Sequence, residues 1–195
     1  MTTARTTEPS RRDQILATAA ELFAARGFHG VSVADLGSAC GISGPALYKH
    51  FSSKDAMLAE MLVSISERLL AVGEERVAAA AGPGAALLAL VDWHVDFALH
   101  HRALIVVQDR DWESLPVEAR EQVRALQRGY VDIWAAQLKR LDAGLALEEA
   151  RAMAHAIFGL INSTPHSAML PDEAMHALLA DLAGRALGLP DGPRP

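Results

Sequence analysis

The sequence is poor in the ingredients from which several protein classes are built. It has one cysteine, Cys40, which excludes an internal disulfide framework and argues weakly for a reducing compartment, the cytoplasm. Tyr and Phe number two and five among 195 residues, and Thr and Ile are sparse, so the usual strand formers are scarce. No apolar/polar alternation, repeat period or low-complexity tract beyond Ala-rich helix is present. The most apolar run, "AALLALV", ends at Asp92 after seven residues, far short of the ~20 that a membrane helix needs. "MTTARTTEPSRRDQ" at the N-terminus has no apolar core of the kind a secretory signal requires.

Ala and Leu are abundant instead. Hydrophobic residues make up 51% of the chain, enough to bury a substantial core, and their balance favours helices. The net charge of −6 is unfavourable for a partner of nucleic acid, but it is unevenly spread. Residues 1–54 carry a balance of +2 and the remainder −8, so only the N-terminal part is suited to a polyanion.

Pro9-Ser10 opens a first amphipathic helix with Ile15, Ala19, Leu22 and Phe23 as its stripe and Gly27 as its stop. Ser32 caps a short helix from Val33 to Cys40, with Asp35 in its first turn. Ser43 caps the next, and Pro45 falls in the first turn, where its missing N–H costs nothing. Ser52 or Ser53 caps a long fourth helix carrying Leu58, Met61, Leu62, Ile65, Leu69 and Val72, which fades in "AAAAGPG". Five more helices are expected near 85–101, 102–112, 116–142, 147–164 and 172–188, separated at Pro116, Gly144, Pro165, Pro171 and Pro190. The fold class is all-α, with about nine helices.

Val33 to Phe51 form one unit: two short helices, a turn at Gly41, a small Gly37 where the second helix passes close, and apolar Leu36, Cys40, Ile42, Leu47 and Phe51. This is helix-turn-helix spacing, in which the second helix enters the DNA major groove. Its start, Ser43-Gly44-Pro45-Ala46, is small enough for backbone to approach base edges. Leu47 and Phe51 pin it inward, leaving Tyr48, Lys49 and His50 outward with tips that reach phosphates or bases. Arg11 and Arg12 are either backbone contacts or solvated side chains, and Cys40 reads as a small buried packing residue.

The stretch "GFHGVSVADLGSACGISGPALYKHFSSKDAML" resembles the TetR/AcrR family of transcriptional regulators, the resemblance covering residues 12–62. It implies a helix-turn-helix head at residues 1–54, a helical effector-binding and dimerisation body at 55–195, and a homodimer of Ω-like outline. It also implies phosphate anchors at Ser32, Tyr48, His50 and Lys54 and groove-facing positions at Ser43, Gly44, Pro45 and Lys49. Gly44 and Pro45 stand where members often carry longer side chains, which moves readout towards Lys49, Ser43 and DNA shape. An acyl-CoA-like or other hydrophobic effector follows from the same likeness.

In the body, Trp93, Phe97, Trp112, Tyr130, Trp134 and Phe158 are either ordinary core or walls of an effector cavity, with His94, Gln108 and Asn162 as its polar groups. The helices at 147–164 and 172–188 have more apolar surface than one stripe and are expected to pair across a two-fold axis. No metal or cofactor is expected: His100 and His101 point about 100° apart on a helix and His94 is out of phase with both. Asp109, Asp111 and Glu113 read as a solvated helix end. Ser163, Thr164 and His166 lack the surroundings of a hydrolytic site, so catalysis is not expected. The expected function is a dimeric, effector-released repressor of palindromic operator DNA. The alternatives are a DNA-binding dimer without effector control and an enzyme built on the helical body.

Overall fold

The structure, a computed structural model, describes residues 10–189; Pro9, Pro190 and the charges of Arg5 and Glu8 lie outside the described residues. Those residues form helices joined by turns, with no strand among them. The helices are α1 (Arg11–Arg26), α2 (Val33–Ala39), α3 (Gly44–Leu47), α4 (Lys54–Ala79), α5 (Pro83–His100), α6 (Arg102–Asp111), α7 (Val117–Leu141), α8 (Leu147–Ile161), α9 (Thr164–Ser167) and α10 (Asp172–Ala186).

Local chemistry sets the starts. Ser10 and Ser32 each accept a hydrogen bond from the backbone N–H three residues on, and Asp13 and Asp35 each accept one from the cap in return, completing two capping boxes. Ser43 and Ser53 cap α3 and α4 in the simpler way, with Pro45 in the first turn of α3. The expected break at Pro165 is itself helical: Pro165 sits in the first turn of the four-residue α9.

Two apolar cores result. The N-terminal one gathers Ile15, Ala19 and Phe23 of α1, Leu36 of α2, Leu47 and Phe51 around α3, and Met57, Leu58, Met61 and Leu62 of α4. Val107, Leu115, Ala119 and Val123 from α6, α7 and their connection also enter it. The second core is built from α5, α7, α8 and α10 around Leu87, Leu90, Val91, Trp134, Ala154 and Leu179, with Ile65, Leu69 and Val72 of α4 packed against it. The first half of α4 therefore belongs to one core and its second half to the other.

In α10, Met175, Leu179 and Ala183 are buried, whereas Leu178 and Leu182 are 42% and 38% exposed. The outward side of α8 is small: Ala152, Ala156 and Gly159 are exposed there.

Candidate nucleic-acid interface and effector cavity

The α2–turn–α3 unit depends on close backbone approach. A Cβ on Gly37 would lie 2.8 Å from the Ile42 carbonyl oxygen, so only glycine lets the turn fold back onto α2. Gly41 reverses the chain at φ +66, a left-handed conformation open to glycine. Regular helix ends at Leu47, not after His50 as expected, and Tyr48 to His50 continue as a turn. The turn keeps their direction because Phe51 N–H still donates to the Leu47 carbonyl at 3.1 Å, with both side chains buried. Tyr48 stands 55% exposed, Ser43, Pro45 and Lys49 are also exposed, and Gly44 and His50 are half-buried.

Two expected phosphate anchors are otherwise engaged. The Lys54 ammonium donates to the Phe28 and Val31 carbonyls at 2.7 and 2.9 Å and lies 4.3 Å from the Phe28 ring centroid. It ties the α1–α2 connection to α4 through two of its three N–H donors. Ser32 donates its hydroxyl to Asp35 at 2.6 Å, spending its only side-chain donor inside the capping box. Asp35 is correspondingly held down at about 2 by hydrogen bonds from the Ser32 hydroxyl and backbone and by Arg26.

Arg11 and Arg12 are exposed, and both are tied to neighbouring elements. Arg11 donates to the Cys40 carbonyl; Arg12 donates to Glu60 and the His50 carbonyl and lies over the Phe51 ring. Arg12 thus staples the end of the α3 turn to α1 and α4, and Glu60 raises its pKa. Cys40 is half-buried against the N-terminal core. Sequence periodicity carries no signal for these bonds, because their partners lie 29 to 48 residues away.

The largest departure is at the end of α6. Asp111 is buried, and one of its oxygens accepts from the Phe28 N–H at 3.3 Å. Arg110 pairs with Asp111 and donates to the Phe23 and Ala24 carbonyls in the last turn of α1. Helix carbonyls at that end have no partner within the helix, so α6 caps α1 from outside. Glu113 pairs with Arg120 at 2.9 Å. Of the expected solvated helix end, Asp109 and Glu113 are exposed, whereas Asp111 with Arg110 forms a clamp between α6 and the N-terminal core.

A cavity of about 210 Å³ lies between α4, α5, α6, α7 and α8. Six of the nine expected lining residues reach it: His94, Phe97, Gln108, Tyr130, Phe158 and Asn162. Three do not. Trp93 donates its indole N–H to the Leu69 carbonyl at 3.2 Å, Trp112 packs on the N-terminal core beneath Arg124, and Trp134 is fully buried behind the wall. Ile65, Ser66 and Leu69 of α4 and Leu104, Ile105 and Asp109 of α6 complete much of the lining.

The wall contains a polar chain. His94, Phe158 and Tyr130 form a three-membered cluster of near-parallel rings, with the His94 centroid 4.7 Å from that of Phe158 and 5.6 Å from that of Tyr130, and the latter two 5.4 Å apart. Its Nε2 is 3.2 Å from Asn162 Oδ1 and its Nδ1 3.3 Å from the Tyr130 hydroxyl. With an amide oxygen as acceptor, Nε2 carries the proton and Nδ1 accepts from Tyr130. Burial pushes His94 down to about 4, partly offset by Asn162, and pushes the Tyr130 hydroxyl up. Both are neutral near pH 7. Thr164 donates to the Ala98 carbonyl at 2.9 Å and Ser163 to the Leu160 carbonyl at 2.8 Å, so these hydroxyls serve the α8–α9 connection. Among the described residues no cluster of His, Cys, Asp and Glu could hold a metal ion, and no helix is long and apolar enough to cross a membrane.

Comparison with known proteins gives consistent matches. The model for bacterial regulatory proteins of the tetR family matches residues 15–61, and that for the tetracyclin repressor-like C-terminal domain matches residues 80–166. The HTH-type transcriptional repressor KstR2 of Rhodococcus jostii (strain RHA1) is 32% identical over 130 residues, 66% of this chain and 64% of KstR2. The chain spans between 56% and 64% of the KstR2 relatives it matches in Rhodococcus jostii and Mycobacterium tuberculosis. Among solved structures, a TetR-family transcriptional regulator from Bordetella parapertussis 12822 superposes with a TM-score of 0.79 at 27% identity, covering 93% of this chain and 94% of that one. The TetR family regulator PfmR from Thermus thermophilus superposes with a TM-score of 0.74 at 30% identity, covering 89% and 98%.

Proposed function

The chain belongs to the TetR family of bacterial regulatory proteins, a DNA-binding transcriptional regulator and not an enzyme, and on that premise we propose that it is a dimeric repressor released from palindromic operator DNA by a small apolar or amphipathic effector. The head is residues 1–54 and the body 55–195. The observation that carries the reading is the set that follows α3: exposed Tyr48 and Lys49 and half-buried His50 stand on a turn whose other side is locked by Leu47, Phe51 and Arg12. Ser43, Gly44 and Pro45 present backbone and small side chains to the groove, Lys49 reads base edges, and Tyr48 and His50 hold phosphates. Lys54 and Ser32, the other expected phosphate anchors, also fix the head beneath this surface.

The exposed faces of α8 and α10, with Ala152, Ala156, Gly159, Leu178 and Leu182, support pairing of two copies as a four-helix contact. The cavity supports control by an effector, and two of its walls lead to the head. α4 runs from the cavity into the N-terminal core, and α6 runs from Gln108 and Asp109 directly into the Arg110–Asp111 clamp. A 100-fold loss of operator affinity needs a differential of about 2.7 kcal/mol between two head spacings, within ordinary coupling. At about 210 Å³ the cavity is below the roughly 300–1,000 Å³ of typical ligand sites, so a larger effector must open it, which is the displacement release requires.

A gel shift on the DNA upstream of the protein's own gene tests this. Tyr48→Phe should weaken all sites by a similar factor, while Lys49→Ala should broaden site choice. Unchanged affinity on Tyr48→Phe would remove its phosphate role. Palindrome binding that no apolar or amphipathic compound disturbs would leave a DNA-binding dimer without effector control.

A further inference from the structure

A second cleft, of about 320 Å³, opens beside the effector cavity and shares Gln127, Val131 and His155 with it. Its other walls are Arg124 and Arg128 of α7, Arg151 of α8, and Asp132. Three guanidinium groups against one carboxylate stand out in a body that is otherwise acidic, with a balance of −8 from residue 55 onward. Asp132 accepts from Arg151 Nε at 2.8 Å, and Glu121 pairs with Arg124 at 3.0 Å. Arg128 has no hydrogen bond or ion pair among the described residues, and Arg151 engages only through Nε. Donors are therefore left over on two adjacent helices, at the edge of an apolar hole.

The hole itself is unsuited to an anion. Phe97, Tyr130 and Phe158 line it, His94 is committed to Tyr130 and Asn162, and its ionisable carboxylate, Asp109, would repel negative charge. A ligand that fills both spaces must keep its charge in the arginine cleft and its apolar part inside. We propose, on the premise that this body binds an effector, that the effector is an amphiphile with an anionic head, carboxylate or phosphate, seated on Arg128 and Arg151 with its apolar arm among Phe97, Tyr130 and Phe158. Arginine forks match both head groups bidentately, and the free Nη groups of Arg151 can do so without releasing Asp132.

The test is calorimetric titration of the full-length protein with octanoyl-CoA, octanoate and octanol, which share an arm and differ in head. The variant is Arg128→Gln with Arg151→Gln; Arg128 is exposed, Arg151 partly so, and the Arg151–Asp132 pair contributes little to folding, so the melting curve should be unchanged. At least one of the two anions should bind the wild type about tenfold or more tightly than the variant, while octanol binds both alike. The phosphate-rich thioester losing affinity, with octanoate unaffected, would assign the head as phosphate, and the reverse as carboxylate. Equal binding of all three heads, or equal binding by wild type and variant, would overturn the inference while leaving an apolar effector cavity in place. Failure of all three to bind would overturn the inference, while the effector reading itself is decided by the operator-release screen.

Discussion

Several side chains here are decided by what they have already spent. Lys54 and Ser32 look like DNA anchors by position, yet their donors go to the Phe28 and Val31 carbonyls and to Asp35. Tyr48 and Lys49 have no such partner among the described residues, which is why they are the ones to mutate. His94 is the residue with the clearest consequence for pH. It is buried neutral, with its pKa lowered to about 4, and in the unfolded chain it returns to its ordinary value of about 6.5. Below that value the unfolded state takes up a proton that the folded state refuses until about pH 4, so stability present at neutral pH is lost as pH falls through this window. Between about pH 7.5 and pH 5 the loss from this group should be roughly 2 kcal/mol. Urea unfolding of wild type and His94→Gln at both pH values measures it: the difference in stability between the two proteins should shrink in acid. Curves that stay parallel would mean that His94 is charged or solvated in the folded protein.

At the scale of elements, one coupling between head and body besides α4 is the α6–α1 clamp. Asp111→Ala would leave the Phe28 N–H without its acceptor and Arg110 without its counter-charge, a cost of about 1–3 kcal/mol in unfolding free energy. The loss should be local. Amide exchange should speed up in α1 and the α1–α2 connection while α7 and α8 keep their protection; equal loss everywhere would show that the clamp stabilises the fold without joining its parts. This contact also marks the boundary of what the chain reveals in one dimension. Caps at Ser10, Ser32, Ser43 and Ser53, the Gly41 turn and the Gly37 approach are encoded within a few residues, and each is legible. The inward pinning by Leu47 and Phe51 is legible too, because spacing alone defines it. The shortness of α3 is not, since Tyr48 to His50 have ordinary helix propensity and their turn is held by Arg12 from α1. The Asp111–Phe28 bond spans 83 residues, and a carboxylate beside an arginine at a helix end looks solvated unless its partner is known. The cavity falls between these cases: aromatic and polar residues at helical spacing name six of its walls, but periodicity does not say that Trp93 and Trp134 face away from the space.

For the whole molecule the deciding question is whether two heads act as one. Leu178 and Leu182 extend beyond the stripe that α10 needs for its own core, and Ala152, Ala156 and Gly159 leave the facing surface of α8 low enough for close helix approach. Replacing both leucines with glutamate puts like charges into the proposed two-fold contact while leaving Met175, Leu179 and Ala183 in place inside. The variant should therefore remain helical with a little-changed melting curve, yet sediment as a monomer. A monomer offers one recognition element to one half-site, with about half the phosphate contacts of the dimer. Because each neutralised phosphate contributes about −0.9 to the slope of log affinity against log salt, that slope should fall to about half of its wild-type value. The slope is a sharper measure than affinity alone, which a destabilised head would also reduce. A variant that sediments as a dimer places the interface elsewhere on the body, and a monomer that keeps the full slope means that the wild type never used two heads on one operator.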